Sequence, residues 1–358
     1  MDKYELTSET LQFAGRTLHR IKAVKDFGSV KAGEFGGWIE NEKNLSQDDN
    51  AWIYGEAMTF DNAKVCDCAE VHNNAKVFGN AKVFGHAKIL CNAKVFGNAN
   101  VFCYAKVYDD AKVYDNAKVC DDAEVNNNAN IFCNARVCDY AKVCGYAEVY
   151  DYAGVYNSAV IKDNVKVHGT AKVCDYAEVF ENADVFNNAS VYGLTTIFGN
   201  ANVFGNARVC DNAKIFDRAN VYGNAKVCDY AEVYDDAKVY DDAEVYGYAK
   251  VYGNANIFDC AKVCGYAKVY SNTRIYGNAS IKGDAKVHDA ADYIVFKNFW
   301  SSERYFTWTR SNNKWSVGCF YGTGEELIKK AYNDSEKSGR EYERVVRYVE
   351  SILADEKK

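Results

Sequence analysis

The sequence contains no proline, only two methionines and five histidines. It also has no apolar run long enough to span a membrane, which excludes a helical membrane protein. The opening MDKYELTSETLQF lacks the basic-then-apolar pattern of a signal peptide. The expected location is therefore cytoplasmic, and the fourteen cysteines are expected there as reduced thiols. The net charge of −7 favours solubility and gives no reason to expect a membrane or nucleic-acid partner. What replaces the scarce residues is an excess of Tyr, Asn, Ala, Val and Cys, the mark of a biased, repetitive chain.

The repeat has a period of six. From Ala51 to Ala291 a small residue recurs on that register, always alanine except at Val165, Thr195 and Thr273. Two residues later stands an aliphatic side chain, valine or isoleucine at every unit from Val65 to Val287. In a unit such as Asn80-Ala81-Lys82-Val83-Phe84-Gly85, strand alternation puts Ala81 and Val83 on one face and Lys82 on the other. The next two positions are mostly Gly, Asp or Asn and then Asn, Asp or Tyr, residues that tolerate left-handed backbone and make corners. Each hexad reads as a short strand plus a corner. A helical repeat is excluded, because six residues do not match a 3.6 period.

Aliphatic at i, Asn or Asp at i+3 and Ala at i+4 resembles the hexapeptide repeat of left-handed parallel β-helix proteins, in which three hexads make one triangular coil. The segment before the repeats, including Leu18 to Phe27, Val30 to Ile39 and Leu45-Ser46-Gln47, resembles the opening of YdcK-type hexapeptide proteins. The resemblance implies an all-β solenoid and carries a transferase label. In one respect the chain departs from it: Phe, Tyr or Cys follows the aliphatic residue where that family has Gly, Ala, Glu or Asp.

With eighteen residues per coil, the repeat predicts about thirteen coils whose equivalent residues stack at about 4.8 Å. The outward position after each valine then falls into three columns. The first is Phe60, Phe78, Phe96, Tyr114, Phe132, Tyr150, His168, Phe186, Phe204, Tyr222, Tyr240, Phe258 and Tyr276. Such a ladder can stiffen the solenoid by stacking. A continuous apolar face also exceeds what monomers usually leave wet, so the expected role is association with a second copy or a protein partner. The second column carries seven cysteines, each with Lys or Arg two residues earlier. The unit Lys/Arg-Val-Cys-Asp/Gly-Tyr recurs as Arg136, Cys138, Tyr140; Lys172, Cys174, Tyr176; Lys226, Cys228, Tyr230; and Lys262, Cys264, Tyr266. A neighbouring cation lowers a thiol pKa, so this stripe is a secondary candidate. The bland alternative is cysteine as a small filler. The third column, from Tyr54 and His72 to Tyr270 and His288, is mixed and offers no site.

Three segments are expected: a cap and first coil over 1–50, the solenoid over 51–292, and a C-terminal module over 293–358. In that module Tyr293–Phe299, Arg304–Arg310 and Trp315–Tyr321 read as strands. Thr323 with Glu326 reads as a capping box opening a helix to about Asp334. Ser338-Gly339 is expected to break it before a second helix bearing Tyr342, Val345, Val346, Val349 and Leu353 on one side. Trp300, Trp308, Trp315, Arg304 and Arg310 offer either a recognition patch or a small aromatic core.

Hexapeptide proteins are often acyltransferases and in a few cases zinc hydratases. The first need a histidine base in a cleft, the second three converging histidines. None of His19, His72, His86, His168 and His288 is expected beside a loop insertion, because the repeat register never breaks. Ice binding would want a Thr-x-Thr array, which is absent. The expected function is a non-catalytic scaffold or protein-binding surface, with a hexapeptide acyltransferase as the alternative. No cofactor or metal is expected, membrane binding is not expected, and nucleic acid is disfavoured.

Overall fold

The computed structural model describes residues 2–356. The fold is a parallel β-solenoid followed by a small antiparallel sheet and two helices. Its contacts divide into residues 1–200 and 201–358, described in turn.

In residues 1–200 each hexad forms a strand of two residues, such as Lys94–Val95, Asn100–Val101 and Lys106–Val107. Successive hexads belong to three different parallel sheets, and partners are eighteen residues apart: Val95 with Val113, Val101 with Val119, Val107 with Val125. Every repeat valine, isoleucine and alanine in this segment is buried. Burying one valine side chain is worth about 1.5–3 kcal/mol, and the alanine beside it keeps the triangular core thin.

Two-residue strands supply little ladder, so the corners carry the continuity. The first corner residue is left-handed, with φ of 60° at Asp61 and 61° at Asp67. There the backbone N–H points back along the axis, and the preceding coil's carboxylate accepts it: Gly79 N donates to Asp61 Oδ2 at 3.0 Å and Gly85 N to Asp67 Oδ2 at 2.9 Å. The next amide donates forward, as Asn62 N to Gly79 O at 2.8 Å. Glycine suits this position where the coils approach most closely; a Cβ on Gly145 would lie 2.6 Å from Asp163 N.

The first coil is closed by a hairpin, Tyr4–Phe13 with Arg16–Ala23, whose second strand pairs antiparallel with Phe35–Ile39. Lys3 lies buried on the opening strand edge, its Nζ donating to Ala51 O at 2.8 Å and lying 3.5 Å from Asp49. Burial lowers its pKa, with Asp49 opposing that shift. Gln47 accepts from Lys3 N and donates to Tyr4 O, and Asn44 Nδ2 donates to Asp61 O and Ala63 O. These bonds satisfy the polar groups that a bare solenoid end leaves open.

Residues 201–358 repeat the same coil, with Val203 on Val221, Val209 on Val227 and Ile215 on Val233. The last coil is covered by the antiparallel sheet. Ser280 N donates to Thr307 Oγ1 at 2.9 Å, and Lys286 N to Ser311 Oγ at 2.7 Å. Two expectations are corrected here. The expected return strand Trp315–Tyr321 is two strands, Lys314–Val317 and Phe320–Gly322, because Gly318 turns with a φ of 55°. The helix break lies at Ser335 and not at Ser338-Gly339. Ser335 ends α1 (Gly324–Asp334) and caps α2 (Glu336–Asp355), and Gly339 lies inside α2 against the Tyr332 ring. Thr323 and Glu326 do form the capping box. Trp308, Trp315, Tyr342, Val346 and Val349 share one core, with Val345 and Leu353 packed on it, while Trp300 stays exposed.

The corner bonds give a direct test. Asp229 Oδ2 accepts from Gly247 N at 2.9 Å, and Asp229 has a φ of 59°. Asp229→Ala should destabilise that coil by about 1–3 kcal/mol, the cost of orphaning a donor bonded to a charged group. Asp229→Gly should cost less, because it removes the left-handed strain along with the bond. Hydrogen exchange of the Gly247 amide should quicken in both variants; unchanged protection would show that the carboxylate does not hold it.

Candidate functional site

The first outward column is a stack of rings. In residues 1–200, Phe60, Phe78, Phe96, Tyr114, Phe132 and Tyr150 follow at centroid spacings of 4.8–5.1 Å, parallel within 8°. His168 stacks on Tyr150 at 4.7 Å and on Phe186 at 5.1 Å. In residues 201–358, Phe204, Tyr222, Tyr240, Phe258 and Tyr276 stack at 4.8–5.5 Å. Stacking covers the ring faces, so most of these residues are half-buried and offer water their edges. Burial raises the phenol pKa at Tyr114, Tyr150, Tyr222 and Tyr240. Phe60 differs, being 4% exposed because the N-terminal hairpin lies on it. Phe13 meets Phe60 edge-on at 5.6 Å, and Leu11, Leu18, Phe13 and Phe78 pack into the same cluster.

In the second column the expectation of reduced thiols is corrected. Wherever cysteines occupy adjacent rungs, they are joined as disulfides: Cys120 to Cys138 and Cys210 to Cys228, each pair with Cα atoms 4.7 Å apart. A Cα separation of 4.7 Å falls inside the range that a disulfide spans. Cys174 and Cys264 have no cysteine on a neighbouring rung and are free. Flanking cations do not lower the thiol pKa at Cys66 or Cys174. Burial pushes the Cys66 and Cys174 thiols up, with Asp67 and Asp175 adding to it, and Lys64 and Lys172 only partly oppose this.

The tyrosines of that stripe stand on one corner of the coil and are open to water. Tyr140, Tyr176 and Tyr266 are about two-thirds exposed, and Tyr230 is 51% exposed. In residues 201–358 they form a continuous stack, Tyr230 on Tyr248 on Tyr266 at 4.9–5.0 Å. The other corners carry amide ladders that the sequence reading missed. Asn62 donates to Asn80, Asn80 to Asn98 and Asn98 to Asn116 at 3.0–3.1 Å, and Asn206 donates to Asn224. Asparagine recurring every eighteen residues is the signal of these ladders in the sequence. Arg136, Lys172, Lys226 and Lys262 lie exposed at strand centres, with Lys226 and Lys262 both near Glu244.

Each repeat histidine is engaged by neighbours. His72 stacks on Tyr54 and contacts Glu70 at 3.0 Å. Burial raises the Glu70 pKa, but hydrogen bonds from Lys88 and His72 bring it below its ordinary value. His86 stacks on Tyr104, while His168 Nε2 lies 3.2 Å from Asp184, whose carboxyl burial pushes up. His288, Asp289 and Asp292 converge as metal ligands would, but both carboxylates accept backbone amides, His288 N to Asp292 at 2.8 Å and Ala291 N to Asp289 at 2.7 Å. His19 is half-buried in the hairpin. Among the described residues, no helix is long and apolar enough to cross a membrane.

No family model matches the chain. It is similar to the protein described as "Uncharacterized acetyltransferase YdcK" of Escherichia coli K12, 38% identical over 74 residues. That match covers 18% of this chain and 23% of the relative, so the chain spans less than a quarter of the curated protein it matches.

The thiols supply the prediction. Non-reducing peptide mapping should recover Cys120–Cys138 and Cys210–Cys228 as linked peptides and Cys174 as a free thiol. Because burial raises its pKa, Cys174 should alkylate more slowly than a small-molecule thiol at pH 8, and its rate should climb only at higher pH. Lys172→Ala should shift that onset further upward. An alkylation profile at or below the ordinary thiol pKa would contradict the burial argument.

Proposed function

We propose that the chain is a non-catalytic scaffold whose stacked aromatic column is a protein-docking face, used by a second copy of the chain or by another protein. The hairpin carries this reading. Leu11, Phe13 and Leu18 already lie across the first rungs and take Phe60 almost wholly out of water. The chain thus covers this face with its own apolar side chains where it can reach. In residues 1–200 the edges from Phe96 to Phe186 keep the same spacing with only half-burial, and in residues 201–358 Phe204, Tyr222, Tyr240 and Phe258 are likewise half-buried. Covering them stabilises a complex by about 25 cal/mol per Å² before association entropy is subtracted.

The second reading is acetyl transfer, and the name carried by the similar protein favours it. His168, with Asp184 at 3.2 Å, is the residue to test, since a carboxylate beside an imidazole supports a general base. Against it, both faces of the His168 ring are covered by Tyr150 and Phe186.

Phe96→Ser with Phe132→Ser should weaken assembly by tenfold or more, on the order of 1.4 kcal/mol, while the far-ultraviolet spectrum is kept, because the alanine–valine core is untouched. Light scattering over a concentration series measures this. A wild type that stays monomeric at high concentration and loses no native partner on mutation would end the docking proposal. An acetyl-donor turnover abolished by His168→Asn would favour the second reading.

A further inference from the structure

The exposed tyrosine corner of residues 1–200 differs from its counterpart in residues 201–358. The later stack is continuous, whereas the earlier one alternates. Tyr104, Tyr140 and Tyr176 stand two coils apart, with Asp122 and Ser158 on the rungs between. Rings on this corner stand across the coil axis. His86 and Tyr104 are parallel within 2° at 4.8 Å, and the tyrosines of residues 201–358 are parallel within 5°. Tyr104 therefore has one face covered by His86 and turns the other toward the rung of Asp122. Tyr140 holds the same register on the far side. The two rings are two rungs apart, about 9–10 Å.

Beside them an open recess of ≈ 520 Å³ runs along four rungs, lined by His86, Tyr104, Asp122 and Tyr140 on the corner and by Lys88, Lys106, Glu124 and Lys142 at the adjoining strand centres. Two of the three lysines share one carboxylate. Lys106 and Lys142 lie 3.1 and 3.9 Å from Glu124, and Lys88 lies 2.8 Å from Glu70. Asp122 is exposed on the intervening rung and, among the described residues, stands in no ion pair within 4 Å.

From this geometry we infer that Tyr104, Asp122 and Tyr140 form a binding site for a quaternary or alkylated ammonium group. A compact cation midway between two ring faces lies about 4.8 Å from each, within the roughly 6 Å over which a ring attracts a cation. The carboxylate on the same rung supplies the counter-charge. A flat neutral ring placed there would stack loosely on both sides and gain nothing from Asp122. This site is on a corner, separate from the stacked column, and does not depend on the docking proposal.

Calorimetric titration of the full chain with choline tests the inference, with 3,3-dimethylbutan-1-ol as the neutral isostere. Choline should bind saturably, and the alcohol about tenfold more weakly or not at all. Tyr140→Ala should weaken choline binding about two- to fivefold, and Asp122→Asn, a conservative change at an exposed position, should weaken it severalfold. Tyr248→Ala, on the continuous stack, should leave it unchanged. Equal binding of the alcohol, unchanged binding in Tyr140→Ala with a native far-ultraviolet spectrum, or no saturable choline binding would each overturn it.

Discussion

A single backbone amide at each corner sets the terms for the rest of this molecule. A strand of two residues cannot hold a sheet together alone, and the turn that follows leaves an N–H aimed along the axis toward the preceding coil. An unpaired donor there would cost about 1–3 kcal/mol, and the cost would recur three times per coil. Where the left-handed corner residue is acidic, its carboxylate reaches forward one coil and accepts that donor, as from Asp175 to Gly193 at 3.1 Å and from Asp235 to Gly253 at 2.9 Å. Where carboxylates follow one another the same residue is both donor and acceptor, as at Asp229, whose N–H donates to Asp211 and whose Oδ2 accepts from Gly247.

This arrangement separates inside from outside. The interior is nearly invariant, alanine and a β-branched residue at every hexad, and tolerates little change in volume. The outward positions carry no share of that packing. They are free to form rings, thiols, amides or charges, and each choice is amplified by stacking eighteen residues on. Pairs such as Lys250 with Glu232 at 2.6 Å, and the bidentate Arg218 with Asp236, arise because strand centres and corners repeat on the same axis. Any functional surface here is a column, and a column is read along the coil axis.

The coil could be read from the sequence because its determinants are local. Alanine and valine two apart, followed by Asp, Asn or Gly, fix strand and corner within six residues, and no insertion disturbs the count. Column membership followed by arithmetic. What columns do depends on side-chain geometry across coils, which the linear order does not contain. Lysine beside cysteine looked like thiol activation, but at Cys174 the desolvation of a half-buried sulfur outweighs Lys172. The cysteine pairs on adjacent rungs were visible at 120/138 and 210/228, yet whether two Sγ atoms can meet depends on rotamers. The split of the return strand at Gly318 and the helix junction at Ser335 turn on single backbone angles that Gly and Ser permit but do not dictate.

The N-terminal clamp has a consequence for how the chain finds its fold. Core residues eighteen apart are nearly interchangeable, so a coil that docks one turn out of place buries the same alanines and valines and loses almost nothing locally. Such slips are a hazard of repetitive sequences. The sequence just before the repeats cannot be mistaken for any other coil: Trp52 is fully buried, Lys3 reaches Ala51 O, and Asn44 and Gln47 each bind one fixed set of backbone groups. The first coil therefore acts as a frame marker. Coils added in order upon it inherit a unique numbering, and a chain deprived of it would be expected to populate many equally compact misaligned species rather than to unfold.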